Sequence, residues 1–295
     1  MKELFVGVFV ACLLGSAAKF AYAQAATDSA VTEVVISTGL EGGGYWNAGE
    51  RLAAAASGSG LTVESIVSSG SRLSLDRLYS EESPVSLAFV QADALQYFLN
   101  DNPAAADRFE KLETIGEECV FIISEKDGNI ASDKDLQKSA RLNMGIRSPK
   151  SGIWVTFYYM AHLVPELWSN TTLMYGDTVE MMTEFAHPKT NVDRTVMVVH
   201  GTNANSPEIA MVAANPDKFR FVELSDKRFT QGTADKAPVY HAMKVKSGVA
   251  EHERAVKTFC VPGLLLANTQ KLTPVQHDTV TKVVLDHWDE IHLKD

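Results

Sequence analysis

Along this chain, short apolar runs alternate with stretches in which apolar residues recur every three or four positions. The run Val34-Val35-Ile36 reads as a strand, because β-branched residues in a short continuous run suit a buried pleated segment. A glycine-rich loop follows, then a helix from Asn47 to Ala56 whose alanines permit close packing on a sheet. The unit then repeats. Leu61 to Val67 is a strand, Ser68-Ser69-Gly70-Ser71 a turn, and Leu73, Leu75 and Leu78 mark a short helix ending before Ser83-Pro84. Val85 to Val90 forms a third strand, and Gln91-Ala92-Asp93 opens a helix through Leu95 and Phe98, with Asp93 as its expected cap.

The pattern restarts at Cys119-Val120-Phe121-Ile122-Ile123, another buried strand. Ser132 to Lys138 carries helix-start chemistry, Leu142 to Ile146 is a strand, and Arg147-Ser148-Pro149-Lys150-Ser151-Gly152 is a polar turn opening an aromatic-rich helix from Ile153 to Leu163. Further on come a helix from Asp177 to Ala186, a strand from Thr195 to Val199, a helix from Pro207 to Asn215 and a strand from Phe219 to Leu224. A strand around Cys260 and a terminal helix from Pro274 to His292 read as a return to the first half. Strands alternating with helices at this spacing predict an α/β fold on a parallel sheet. Ligands in such folds bind in loops beyond the carboxyl ends of strands.

Composition narrows the function classes. With 295 residues and 45% hydrophobic positions, the chain suffices for two packed domains at about 100–200 residues each. Lys and Arg number 27 against 37 Asp and Glu, a net charge of -10, which argues against a nucleic-acid partner because phosphate backbones need a basic face. Lys2, the apolar run from Leu4 to Ala18 and the small-residue pattern Ala21-Tyr22-Ala23 read as a cleaved secretory signal covering 1–23, which sends the mature chain to an oxidising compartment. Cys12 offers a lipoprotein alternative and a membrane anchor a third, but Gly15, Ser16 and Lys19 interrupt the run. In that oxidising compartment Cys119 and Cys260, both in buried-strand contexts, are expected to bond, with two free buried thiols as the alternative. Such a bond closes a loop of about 140 residues, worth on the order of 4–5 kcal/mol if unstrained.

The candidate chemistry lies in the loops. Thr38-Gly39-Leu40-Glu41-Gly42-Gly43-Gly44-Tyr45-Trp46 directly follows a strand and precedes a helix, so its amides can face an anionic group. It matches neither the phosphate loop nor the dinucleotide fingerprint, so no cofactor is expected. Comparable polar loops begin at Ser68 and Ser148, and together they predict an anion such as a carboxylate held between two halves.

The ordered set Thr38-Gly39 through Gly44-Tyr45, Ser69-Gly70-Ser71, Phe89-Val90-Gln91-Ala92-Asp93 and Gly145 through Gly152 resembles the TAXI-type substrate-binding proteins of tripartite TRAP transporters. The stretch from Asn191 to Ile209, with Asp193 and His200-Gly201-Thr202 ahead of Ser206-Pro207, is similar to that family's second-lobe strand and ligand loop. The resemblance implies a two-lobed class II periplasmic binding protein, acting as a monomer that delivers a small carboxylate, often an amino acid, to a membrane permease. It puts one lobe at 24–122 and 226–295 and the other at 123–225. It implies ligand contacts from Thr38, Gly43, Gly44, Tyr45, Ser69, Ser71 and Gln91 on one side, and from Ser148, Ser151, Gly152, His200 and Thr202 on the other.

Arg147 and Arg72 are the cationic candidates, since a guanidinium grips a carboxylate bidentately. Arg72 has a competing partner in Asp76, four residues on. Tyr45, Trp46 and Trp154 offer aromatic cover or plain core packing. An enzyme is the minority reading. The trio His287, Glu290 and His292 does not share one helical face, so no metal site is expected, and Asp193 and His200 stand at opposite ends of one strand. A membrane sensor kinase is the alternative partner, because it would use the same ligand-driven closure.

Overall fold

The computed structural model describes residues 32–185, 192–201, 206–232, 237–246 and 255–293. The expected signal segment, Cys12 and Thr202 lie outside these residues. The first wing runs β1 (Thr32–Ser37), α1 (Gly44–Ala56), β2 (Leu61–Ile66), α2 (Ser71–Tyr79), β3 (Val85–Gln91) and α3 (Ala92–Asp101). Then β4 (Phe109–Glu125) leads to the second wing: α4 (Asp133–Lys138), β5 (Leu142–Ile146), α5 (Gly152–Leu163), β6 (Thr171–Tyr175), α6 (Thr178–Phe185), β7 (Asp193–Gly201), α7 (Pro207–Ala214) and β8 (Phe219–Phe221). The chain returns through β9 (His241–Lys246) and β10 (Ala255–Asn268) and ends in α8 (Pro274–Asp286) and α9 (Trp288–Ile291). The terminal helix expected from Pro274 to His292 is therefore two helices, parted at His287.

The expected α/β class is the one observed, on one sheet ordered β2-β1-β3-β10-β4-β7-β5-β6, with β8 beside β4 and β9 beside β10. Each wing is parallel, through β1 with β2 and β3 and through β5 with β6 and β7. The centre corrects the expectation of a parallel sheet, because β10 and β4 run antiparallel to each other, β10 to β3, and β4 to β7. Strand direction is set by which neighbour a strand finds, and an apolar run carries no record of that.

Packing follows from alternation of side chains across each strand. In β4, Val120 and Ile122 enter one core with Met144, Phe157 and Met160, while Cys119, Phe121 and Ile123 enter another with Val196, Ile209 and Phe219. The first wing has its own two cores, one with Ile36, Leu52, Phe89 and Val280, the other with Leu75, Leu78, Phe98 and Leu264. Phe229, Tyr240 and Phe259, expected in the first lobe, pack instead with the second wing.

Two long strands pass between the wings. The Gly263–Ala267 part of β10 pairs with β3 and its Ala255–Cys260 part with β9, while Glu118–Ser124 of β4 pairs with β7. At the crossing, Cys260 stands directly opposite Cys119 and the two are disulfide-bonded. Gly116 adopts φ +141, and a side chain there would meet Leu293 Cβ at 2.8 Å, so glycine is needed for both conformation and space. No helix among the described residues is long and apolar enough to cross a membrane.

A candidate ligand-binding cavity

A cavity of about 570 Å³ opens where loops of both wings meet. Four helices present their N-terminal ends to it: α1 at Gly43 and Gly44, α2 at Ser71, α5 at Ser151 and Gly152, and α7 at Ser206 and Pro207. The first amides of a helix have no intrahelical acceptor and carry partial positive charge, so each end attracts anions.

Local sequence explains how the loops hold their shape. Gly42 takes φ +76 in the first loop, and its carbonyl accepts from the Asn47 side chain at 3.1 Å. Gly43, the N-cap of α1, has no side chain to compete for the helix amides. In the second loop the Ser68 hydroxyl lies 2.9 Å from both the Thr38 carbonyl and the Ser74 hydroxyl, and it accepts from the Gly70 amide at 3.1 Å. Ser74 in turn donates to the Thr38 carbonyl at 3.0 Å. Thr38 is fully buried and its hydroxyl donates to the Ile66 carbonyl, so it braces the wall from behind and does not reach the cavity.

Across the cavity, the Ser151 side chain caps α5 by accepting from the Trp154 amide at 3.2 Å, and Ser206 caps α7 through the Ile209 amide. The wings touch at two glycines. A Cβ on Gly70 would lie 2.5 Å from the Gly152 amide, and one on Gly152 would lie 2.2 Å from Gln91 Oε1. Gln91 also accepts from the Ser71 hydroxyl at 3.2 Å and donates to Thr156 at 3.4 Å. Thr156 donates onward to Asp93 at 2.7 Å, as does Tyr240, also at 2.7 Å. Asp93 therefore does not cap α3, as expected, but joins the two wings. Burial raises its pKa, against the hydrogen bonds from Thr156, Tyr240 and the Ala94 amide.

The second wing adds charge. Arg147 Nη2 stands 3.4 Å from Glu208 Oε1, which also accepts from the Thr178 hydroxyl. His200 Nε2 lies 3.6 Å from Glu208 Oε2, an ion-pair separation too long for a hydrogen bond, and neither atom has a hydrogen-bond partner among the described residues. Glu208 is fully buried. Burial pushes its pKa up, but His200, Thr178 and the backbone amide of Glu208 itself more than offset this and hold it below the usual carboxylate range.

A third feature comes from the crossing strands. Glu118 on β4 faces the cavity and accepts from the Tyr45 hydroxyl. Burial, and the charge of Asp93 after it, push its pKa up to about 7 against the opposing Tyr45 bond. Tyr45 is itself buried, stacked on Phe89 at 6.0 Å.

Of the residues singled out in the sequence, Gly43, Gly44, Tyr45, Ser69, Ser71, Gln91, Arg147, Ser151, Gly152 and His200 line the cavity. Trp46 is half-buried away from it, Ser148 is exposed and away from it, and Trp154 packs against Tyr97 and Tyr158. Arg72 is held by Asp76 at 3.1 Å and Asp101 at 3.6 Å and lies outside the lining. Sequence reasoning missed Glu118 and Glu208. A carboxylate beside a cysteine in a strand, and another in the first turn of a helix, carry no signal until the fold brings partners to them.

The sequence model of the NMT1-like family matches residues 36–293, and the chain belongs to that family. A search of curated proteins finds no match. Similar solved structures include XAC2383 from Xanthomonas citri bound to ATP, 14% identical over 86% of this chain and 83% of that one, with a TM-score of 0.49. A TctC solute-binding protein from Polaromonas, without ligand, is 10% identical over 88% and 85% at a TM-score of 0.49. An ancestral arginine-binding protein bound to arginine is 12% identical over 88% and 96% at a TM-score of 0.48.

Proposed function

We propose that this chain is a periplasmic solute-binding receptor that captures a small carboxylate-bearing ligand, an amino acid or organic acid, and delivers it to a TRAP-type membrane permease. One observation carries this reading: four helix N-termini from both wings, with Arg147 and His200, converge on a single cavity. Amide donors and a guanidinium are what a carboxylate needs when it leaves water. The permease rests on the ordered loop motifs shared with the TAXI-type proteins.

The wings act as two lobes joined where β4 and β10 cross beside the disulfide. Ligand bound to loops of both lobes stabilises the closed arrangement, and only differential affinity for that arrangement shifts the equilibrium. The cavity serines argue for binding over catalysis. Ser71 is bonded to Gln91, and Ser151 and Ser206 are helix caps, so none of these three meets a general base.

The test is a thermal-shift screen of the purified protein against amino acids, dicarboxylates, 2-oxo acids, sugars and phosphorylated compounds. A ligand at 100 times its Kd adds about 2.7 kcal/mol and moves the midpoint by a few degrees. A selective response to carboxylates is the expected result, and a response confined to sugars overturns the reading. Arg147→Ala should then weaken carboxylate binding by about 2 kcal/mol in calorimetry. Unchanged affinity would remove Arg147 from the site.

A further inference from the structure

Anion-attracting groups occupy most of the cavity wall, yet two carboxylates line it as well, Glu41 on its exposed rim and Glu118 further in. Glu118 lines the cavity from the crossing strand β4, and Tyr45 donates to its Oε2. Among the described residues its Oε1 has no hydrogen-bond partner, and no lysine, arginine or histidine lies within ion-pair distance of it. Arg147 and His200 do not answer it, because both face Glu208 on the second wing. Nor does the surrounding protein favour its charge, since Asp93 adds negative potential nearby. A carboxylate in this position is costly unless something entering the cavity compensates it.

We infer that the captured ligand carries a protonated amine as well as its carboxylate, and that Glu118, held by Tyr45, receives the amine. This rests on the receptor reading above and narrows it to zwitterionic ligands. The helix ends with Arg147 take the carboxylate, and the free Glu118 oxygen accepts from the ammonium. An organic acid without an amine would leave the Glu118 charge desolvated and unpaired, which is how a site rejects an analogue that lacks one polar group.

The experiment measures Kd at pH 8 by calorimetry for matched pairs differing only in the amine: L-alanine and propanoate, L-aspartate and succinate, L-glutamate and glutarate, L-leucine and 4-methylpentanoate. The expected result is that at least one amino acid binds at least tenfold more tightly than its partner. In Glu118→Gln that preference should shrink at least tenfold, chiefly through weaker amino-acid binding. Equal binding of both members, tighter binding of the des-amino member, or a preference that survives Glu118→Gln overturns the inference while leaving the receptor reading in place. Binding of no member of any pair counts against both. The wild-type preference reads the question without any variant, and Tyr45→Phe, which keeps the carboxylate, should retain it.

Discussion

On the first wing the loops beside the cavity are held by neutral hydroxyls, and on the second by a buried charge. The Thr38 carbonyl gathers the hydroxyls of Ser68 and Ser74, and Ser74 lies 3.0 Å from Ser37, so the buried part of that wall is tied by short hydroxyl side chains, with Arg77 donating to the Val67 carbonyl at its exposed edge. Across the cavity, Glu208 draws together Arg147 from the loop after β5, His200 from β7 and Thr178 from α6. Both walls end in helix N-termini, so their attraction for an anion is alike. They differ in what fails when one member is removed: a neutral network loses single hydrogen bonds, while a buried ion loses its compensation.

The largest effect that sharpens this contrast is expected from Glu208→Ala. It leaves Arg147 and His200, both partly exposed, without their shared acid and Thr178 without its acceptor, and the loss of hydrogen bonds to a charged group costs about 1.5–3 kcal/mol. Urea unfolding followed by circular dichroism measures it, and a cost under about 1 kcal/mol would mean that the charge does not organise this wall. Ser74→Ala on the opposite wall removes hydroxyl bonds to Ser68, Ser37 and the Thr38 carbonyl, and should cost about 1–3 kcal/mol. If Ser74→Ala proved the more damaging of the two, the contrast between the walls would be reversed.

The smallest effects are in pH dependence, and here the signs oppose. Glu208 has a depressed pKa, so its contribution is present above the ordinary glutamate value of 4.5 and is lost as the pH falls below it. Glu118 has a raised pKa, so its contribution is full below 4.5 and is lost as the pH rises toward about 7. Asp93, also raised, acts in the same direction as Glu118. The thermal midpoint of the unliganded protein should therefore decline on both sides of an intermediate pH. Glu118→Gln should flatten the limb between pH 5 and 8, and Glu208→Gln the limb below 4.5. A Glu118→Gln profile that parallels the wild type above pH 5 would remove Glu118 as the source of that limb.

Much of the fold was legible because each wing is built from local units. The apolar runs at Ile36, Val63, Phe89, Met144 and Val198 are strands, and the polar stretches between them are the loops that reach the cavity. The reading failed where pattern and neighbourhood part company. Residues Phe109–Glu113 alternate with charges and carry no apolar run, yet they continue β4, because β10 lies beside them and supplies hydrogen bonds. Thr171–Tyr175 and His241–Lys246 carry no run of buried apolar residues, so their patterns do not announce β6 and β9; each exists as a flank to a buried strand. At the site, glycines and serines ahead of helices announced themselves, whereas Thr38, Trp46 and Ser148 shared the same loops and turned elsewhere.

By itself the sequence determined the alternation of strands and helices, the loops that offer amides to an anion, and the cysteines that bond. These depend on periodicity, capping and backbone freedom, which act over a few residues. Only the tertiary structure decided that β4 and β10 run antiparallel between the wings, that Arg147 and His200 share Glu208, and that Glu118 faces the cavity. The physical reason is distance along the chain. Arg147 and Glu208 are 61 residues apart, and Tyr45 and Glu118 are 73 apart. Charges act on whatever lies within a few ångströms in space, and it is the packing of the whole sheet that decides which residues those are.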